Sequence, residues 1–206
     1  IEKGLLGKPY YAEGEYLHEL KEMNEVTKWR RKWQTGINGI TYCTHSLGPI
    51  LQWMPGDRVV SVSCAGSGHH YRDPRGDEYE HEDSCVMLCK MRSTGLVKIR
   101  LDMLSNRPHG ATNYQVHGTD GCYESARADG DNNRIWLKSR CPDVQTWLDL
   151  QTLEDEFLPD FWKTGESTAQ SAGHGGGDYF EMIDFFDAIQ DKRPCPIGIH
   201  EAMDMS

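Results

Sequence analysis

Val97-Lys98-Ile99-Arg100-Leu101-Asp102-Met103 decides the fold class of this 206-residue chain. Apolar residues fall at every second position with charged ones between them, the period of a strand with one dry and one wet face. Upstream, Ser93-Thr94-Gly95 is a tight turn that joins this strand to a second run, Ser84 to Arg92, as a hairpin. Downstream, Thr112 to Gly118, Gly121 to Ala126 and Arg134 to Lys138 read as strands, broken at Thr119-Asp120 and Asp129-Gly130-Asp131-Asn132. Arg58 to Cys64 adds a strand before the hairpin, and Tyr10, Tyr11, Tyr16 and Leu17 within Lys8 to Leu20 add another. Short hairpin connections make such a sheet mostly antiparallel.

Elsewhere the period is helical or lost. Ser46 to Met54 reads as a short helix with Pro49 in its first turn. Tyr179, Met182, Ile183, Phe186 and Ile189 recur at helical spacing after a plausible Asp178 cap, and this helix is expected to cover one sheet face. Lys21 to Lys32 reads as a charged loop, Gly66 to Asp83 as a polar excursion, and Gly165 to Gly177 as small, polar and mobile. The expected fold is α+β: one large, mostly antiparallel open sheet with helices packed on one face, a single domain over residues 1–206. On the strand Ser84 to Arg92, Val86 and Leu88 lie to one side and Cys85, Met87, Cys89 and Met91 to the other. A strand apolar on both sides needs two covers, so a homodimer or higher oligomer through the open sheet face is expected.

Composition excludes several classes. A formal charge of -10 argues against nucleic acid or an anionic membrane as partner, because both call for a basic footprint. No apolar run approaches the ~20 residues of a membrane span, and Ile1-Glu2-Lys3-Gly4 is no signal peptide. A soluble, cytoplasmic domain is expected. The seven cysteines are odd in number and scattered, which fits free thiols in a reducing compartment. Cys85 and Cys89 fall on one face of a strand roughly 13 Å apart, too far to share an ion. His69, His70, His81, Glu82 and Asp83 match no recognised ligand spacing, so they read as a solvated loop and no metal is expected. The chain starts at Ile1 and stops at Asp204-Met205-Ser206 within a helical pattern, which reads as a piece of a longer protein.

Candidate chemistry concentrates in Gly39-Ile40-Thr41-Tyr42-Cys43-Thr44-His45-Ser46, a loop that carries hydroxyls and an imidazole into a helix start. Imidazole and phenol are both able to move protons near neutral pH. Trp29-Arg30-Arg31-Lys32-Trp33 allows two readings, two buried indoles with surface cations or an indole stacked on a sugar with Arg donating to its hydroxyls. His174, flanked by glycines ahead of a helix, reads either as a turn residue or as a ligand to an anion or carbonyl oxygen. His18, between Leu17 and Glu19, is in isolation a structural strand residue. Gly173-His174-Gly175-Gly176-Gly177 follows a loop and lacks the spacing of a dinucleotide turn.

Three stretches, in order along nearly the whole chain, resemble the C-terminal domain of Gfo/Idh/MocA-type oxidoreductases. They are Gly7-Lys8-Pro9-Tyr10-Tyr11-Ala12-Glu13-Gly14-Glu15-Tyr16-Leu17-His18-Glu19-Leu20, Tyr42-Cys43-Thr44-His45-Ser46-Leu47-Gly48-Pro49, and Gly173-His174-Gly175-Gly176 before an aromatic helix. Gly118-Thr119-Asp120-Gly121-Cys122-Tyr123 is similar to that family's G-x-x-G strand turn. Sugar dehydrogenases of the superfamily usually hold Asp four residues before the loop His, where this chain has Thr41. That departure favours the branch of NAD-dependent, alpha-N-acetylgalactosaminidase-like glycosidases, with Ser46 in place of Gly as a small departure from its loop.

The resemblance implies His45 and Tyr42 as catalytic residues and Arg30, Thr44, Tyr123 and His174 as substrate contacts, with His18 beside the cofactor. It implies NAD or NADP in the full-length protein and a nucleotide-binding domain before Ile1, so that this stretch alone is expected to bind no cofactor tightly and to be inactive. The implied substrate is a sugar or glycoside, oxidised by hydride transfer at a hydroxyl, with elimination of the glycosidic substituent in the glycosidase branch. A non-catalytic carbohydrate-binding or assembly module with the same fold is the alternative.

Overall fold

The computed structural model describes residues 1–108 and 110–206. The chain divides into two compact units, Ile1–Asp149 with Asp204–Ser206, and Leu150–Met203.

The first unit is built on eight strands: β1 (Pro9–Leu17), β2 (Val59–Gly66), β3 (Ser84–Met91), β4 (Leu96–Asp102), β5 (Ala111–Gly118), β6 (Gly121–Glu124), β7 (Arg134–Leu137) and β8 (Leu148–Asp149). Their order across one sheet is β2-β3-β4-β1-β5-β6-β7-β8. The hairpin expected around Ser93-Thr94-Gly95 forms, with Lys90 opposite Leu96 and Ser84 opposite Asp102. Every pairing is antiparallel except β1 with β4, because β1 enters the sheet between two strands that follow it in sequence.

Paired residues share a face, so the register sorts the side chains. Ala12, Gly14 and Tyr16 of β1 lie alongside Val97, Ile99 and Leu101 of β4 and, one strand further, Cys89, Met87 and Cys85 of β3. Val97, Ile99 and Leu101 are fully buried, the dry half of the alternation. Burying each such side chain stabilises the fold by about 1.5–3 kcal/mol. The wet half carries ion pairs: Lys98 to Glu13 at 2.5 Å, Arg100 to Asp102 at 2.9 Å, and Arg127 to the buried Glu15 at 3.4 Å. On β3 the apolar reading of this wet face survives at Leu88, which is 43% exposed.

Within the first unit the helix lying on the dry face is α3 (Thr44–Trp53). Gly14 makes the contact possible: a Cβ there would sit 2.3 Å from the Ser46 carbonyl oxygen, so only glycine lets the helix backbone rest on β1. Lys21 to Lys32, read as a loop, forms α1 (Lys21–Val26) and α2 (Lys28–Trp33). No apolar stripe marks them; they are held from outside by Asn24 to Thr35 at 3.2 Å and by Arg31, which reaches Asp73, Glu80 and the Glu78 carbonyl.

The second unit holds α4 (Glu154–Phe157), α5 (Asp160–Ala169), α6 (Gly177–Gln190) and most of α7 (Ile199–Asp204). Part of the stretch read as mobile is helical α5, which packs on α6 through Phe161, Trp162 and Phe180. Asp178 does not cap α6: the cap position is Gly176 at φ +98°, and the Asp178 carboxylate accepts from His174.

Candidate active site

The last residues of β1 and the first turn of α3 meet over the dry face of the sheet, and four rings converge there. His45, second residue of α3, stacks on Tyr42 with centroids 4.8 Å apart. Tyr16 stands against both, 5.1 Å from each ring, and its hydroxyl lies 2.8 Å from His18 Nδ1. Tyr42 and Ile40 pack on a buried cluster of Tyr16, Leu20, Leu101 and Met103, which fixes the loop before α3. Thr44 Oγ1 is 3.4 Å from His45 Nδ1.

Burial pushes the Tyr16 phenol up to about 12, with neighbouring Tyr42 adding to the rise and the Arg30 charge opposing it. Tyr16 therefore keeps its proton at neutral pH and serves as a hydrogen-bond donor. That interaction also puts the Arg30 guanidinium within electrostatic reach of the ring cluster; Arg30 Nη1 is 2.6 Å from Thr27 Oγ1 and its guanidinium lies over the Trp29 ring at 4.3 Å. The two indoles of the Trp29 to Trp33 run are not buried: Trp29 is 53% and Trp33 62% exposed. The structural cation is instead Arg31.

A second aromatic group adjoins the first. Tyr114 of β5 donates its hydroxyl hydrogen to the His45 carbonyl, and Trp53 stands edge-on to both Tyr114 and Tyr123. Burial raises the Tyr123 phenol above its ordinary value, helped by Tyr114, and its hydroxyl is 3.3 Å from Asn133 Oδ1.

The first unit thus gathers Tyr42, Thr44, His45 and His18, with Arg30 within electrostatic range and Tyr123 one aromatic group away. His174 belongs to the second unit, where its Nδ1 meets Asp178 at 2.7 Å and its side chain is 82% exposed. Sequence reading missed Tyr16, because a tyrosine at a dry strand position reads as core. Its spacing of two before His18 was the available signal. In the second unit, His174 to Gly176 form a short 3-10 turn ahead of α6. Among the described residues no three His, Cys, Asp or Glu side chains converge as a metal would require.

The mostly antiparallel sheet with its helices has the C-terminal fold of Gfo/Idh/MocA-type oxidoreductases. A solved levoglucosan dehydrogenase in complex with NADH and L-sorbose superimposes with a TM-score of 0.71 at 18% identity, over 99% of this chain and 54% of that one. The family match is closer still: residues 1–206 match the family described as Glycosyl hydrolase 109, C-terminal domain, and the chain belongs to that family. It is 30% identical over 222 residues to a glycosyl hydrolase family 109 protein of Saccharopolyspora erythraea, covering 98% of this chain and 46% of the relative. It is also 30% identical over 203 residues to an alpha-N-acetylgalactosaminidase of Shewanella oneidensis, covering 87% of this chain and 43% of that enzyme. The chain spans about half the length of the curated relatives it matches. No helix among the described residues is long and apolar enough to cross a membrane.

Proposed function

We propose that this chain is the sugar-binding side of an NAD(P)-dependent enzyme acting on a glycoside, with His45 and Tyr42 moving protons and Arg30, Thr44 and Tyr123 orienting the sugar. The observation that carries the reading is the Tyr16–His18–Tyr42–His45 ring cluster beside the Arg30 charge. A bound nicotinamide would supply the hydride acceptor and, at the end of the cycle, the donor. What this chain supplies is the proton side. Withdrawal of hydride from a carbinol carbon requires a base at its hydroxyl, and the stacked His45 and Tyr42 place an imidazole and a phenol together for that task. In the glycosidase reaction the ring carbon next to the new carbonyl becomes acidic; His45 takes that proton and passes it to the departing glycosidic oxygen, and when water adds, the proton it gives up returns to the ring carbon through His45. Tyr16 fixes the orientation of His18 beside the reacting face. His174 is assigned to the sugar as a further contact.

The name of the Shewanella oneidensis relative supports a glycoside as substrate, and the NADH-bound levoglucosan dehydrogenase supports NAD. Seven free cysteines support a cytoplasmic place. The exposed Leu88 beside half-buried Val86 supports a homo-oligomer through the open sheet face, which light scattering at micromolar concentration checks directly: a monomer removes it. For the activity, the full-length protein is incubated with nitrophenyl glycosides without added cofactor. Release of nitrophenol supports the glycosidase. Steady NADH formation from free sugars, without release, turns the reading to a dehydrogenase, and neither activity leaves a non-catalytic carbohydrate-binding module.

A further inference from the structure

Pro49 sits inside α3, at its sixth residue. A proline has no backbone N–H, so the carbonyl four residues earlier loses its helical partner. That carbonyl belongs to His45. In this structure it does not go unpaired, because the Tyr114 hydroxyl, reaching up from β5, donates to it. Thr112, two residues earlier on the same strand, hydrogen-bonds the Tyr114 phenol in turn. Tyr114 stands directly opposite Gly14 in the register, the position whose missing Cβ leaves room for the Ser46 carbonyl. The first turn of α3 is therefore held at two adjacent points of the sheet, by a hydroxyl on one strand and by bare backbone on the next.

We propose that Tyr114 is a positioning residue for His45: the proline-vacated carbonyl is the handle, and the Tyr114 hydroxyl fixes through it the height and rotation of the imidazole relative to the substrate. The role in turnover rests on the function proposed above; the placement of the ring does not. A proline at this point of a helix would otherwise be a pure loss, since it removes a hydrogen bond and forces the preceding turn outward. Here it frees an acceptor that a side chain can grip, and so couples the position of one histidine to the sheet rather than to the helix alone. Reacting groups are sensitive to such placement, and a misplacement of ~1 Å can cost on the order of 100-fold in rate.

A double-mutant cycle tests this in the full-length protein. Tyr114→Phe is expected to lower kcat by about 10- to 100-fold with little change in KM, since the phenyl ring still fills its place beside Trp53. Pro49→Ala restores a backbone N–H four residues after His45, so in that background Tyr114→Phe is expected to cost less than about 3-fold. An equal loss in both backgrounds overturns the proposal and makes the hydroxyl a direct substrate contact or a general packing group. The His45 imidazole resonances of the isotopically labelled protein give a readout independent of turnover. They are expected to shift in Tyr114→Phe and to return toward the parent values in the double variant; unmoved resonances in Tyr114→Phe overturn the proposal. If the parent protein shows no activity on any glycoside or sugar, the functional reading fails while the resonance test still decides the positioning role.

Discussion

The seat of α3 and the flank formed by α1, α2 and the Gly66 to Asp83 excursion are fastened by opposite means. Under α3 the fastening is shape: bare backbone at Gly14, the fully buried Ile50, and rings in contact around His45. Along the flank it is charge. Arg31 pairs with Asp73 and Glu80, and Arg75 with Asp73 at 2.6 Å and Glu25 at 2.8 Å. Contact forces change over tenths of an ångström, whereas an ion pair tolerates shifts of that size. Shape holds the helix that carries His45 in one place, and redundant charge keeps the flanking segment down.

The largest expected effect breaks the shape-held side at its functional end. On the proposed function, His45→Ala in the full-length protein is expected to lower kcat by roughly 100- to 10,000-fold while thermal unfolding changes little, since His45 sits at the rim of the core. A loss under tenfold on the preferred glycoside would remove His45 from the proton chemistry. Next is Gly14→Ala. The new methyl would overlap the Ser46 carbonyl, so α3 must rise off β1, at about 1–3 kcal/mol in stability, read as a lower urea midpoint. Turnover should fall with it because His45 moves with the turn. A Gly14→Ala protein with parental stability and rate would show that the seat is not tight.

The same contrast separates what was legible in the sequence from what was not. The β3–β4 hairpin was legible because an unbroken period of two admits one element, and Ser93-Thr94-Gly95 admits one connection. The Tyr42 to His45 loop was singled out through its likeness to a family, and Arg30 with it, and the structure brings their side chains to one place. Helices α1 and α2 were not, since what fixes them are bonds from Asn24 to Thr35 and from Arg31 to residues more than forty positions away, which no local pattern carries. Tyr16 was hidden for a related reason: on β1 it is one more dry-face residue, and its place in the site appears only when the loop folds back over it. The α6 stripe was legible as a helix, because residues recurring at helical spacing admit one element, while periodicity says nothing of which neighbour covers the apolar face.

On the charge-held side the sharper probe is acid. Burial alone would raise the Asp73 carboxyl, but hydrogen bonds from the Asp77 and Arg75 backbones and from the Arg75 and Arg31 side chains win and hold it down at about 2. A carboxyl depressed in the folded state adds stability that is complete above its unfolded value of ~3.9 and is lost as pH falls toward the folded value. Urea midpoints of the parent should therefore drop between about pH 4 and 2 more steeply than those of Asp73→Asn, which starts lower and has no such group to titrate. Parallel curves would mean that the flank does not depend on this carboxylate.

The smallest effect belongs to the open face of the sheet, and its size is informative. Lys98 and Glu13 pair at 2.5 Å on that face, with the lysine about one-third exposed. A pair that stays in contact with water contributes ~0.2–1 kcal/mol, screened by salt, so Lys98→Met should barely move the urea midpoint, and less still at high ionic strength. If the face is instead covered by a second copy of the chain, the partner carboxylate is left without its cation in a dry interface, and the loss becomes larger and dependent on protein concentration. Lys98→Met measured at two concentrations therefore reads whether the wet half of the Val97 to Met103 alternation faces solvent or another sheet: a small, concentration-independent shift means an open face, and a large, concentration-dependent one means an oligomer built on it.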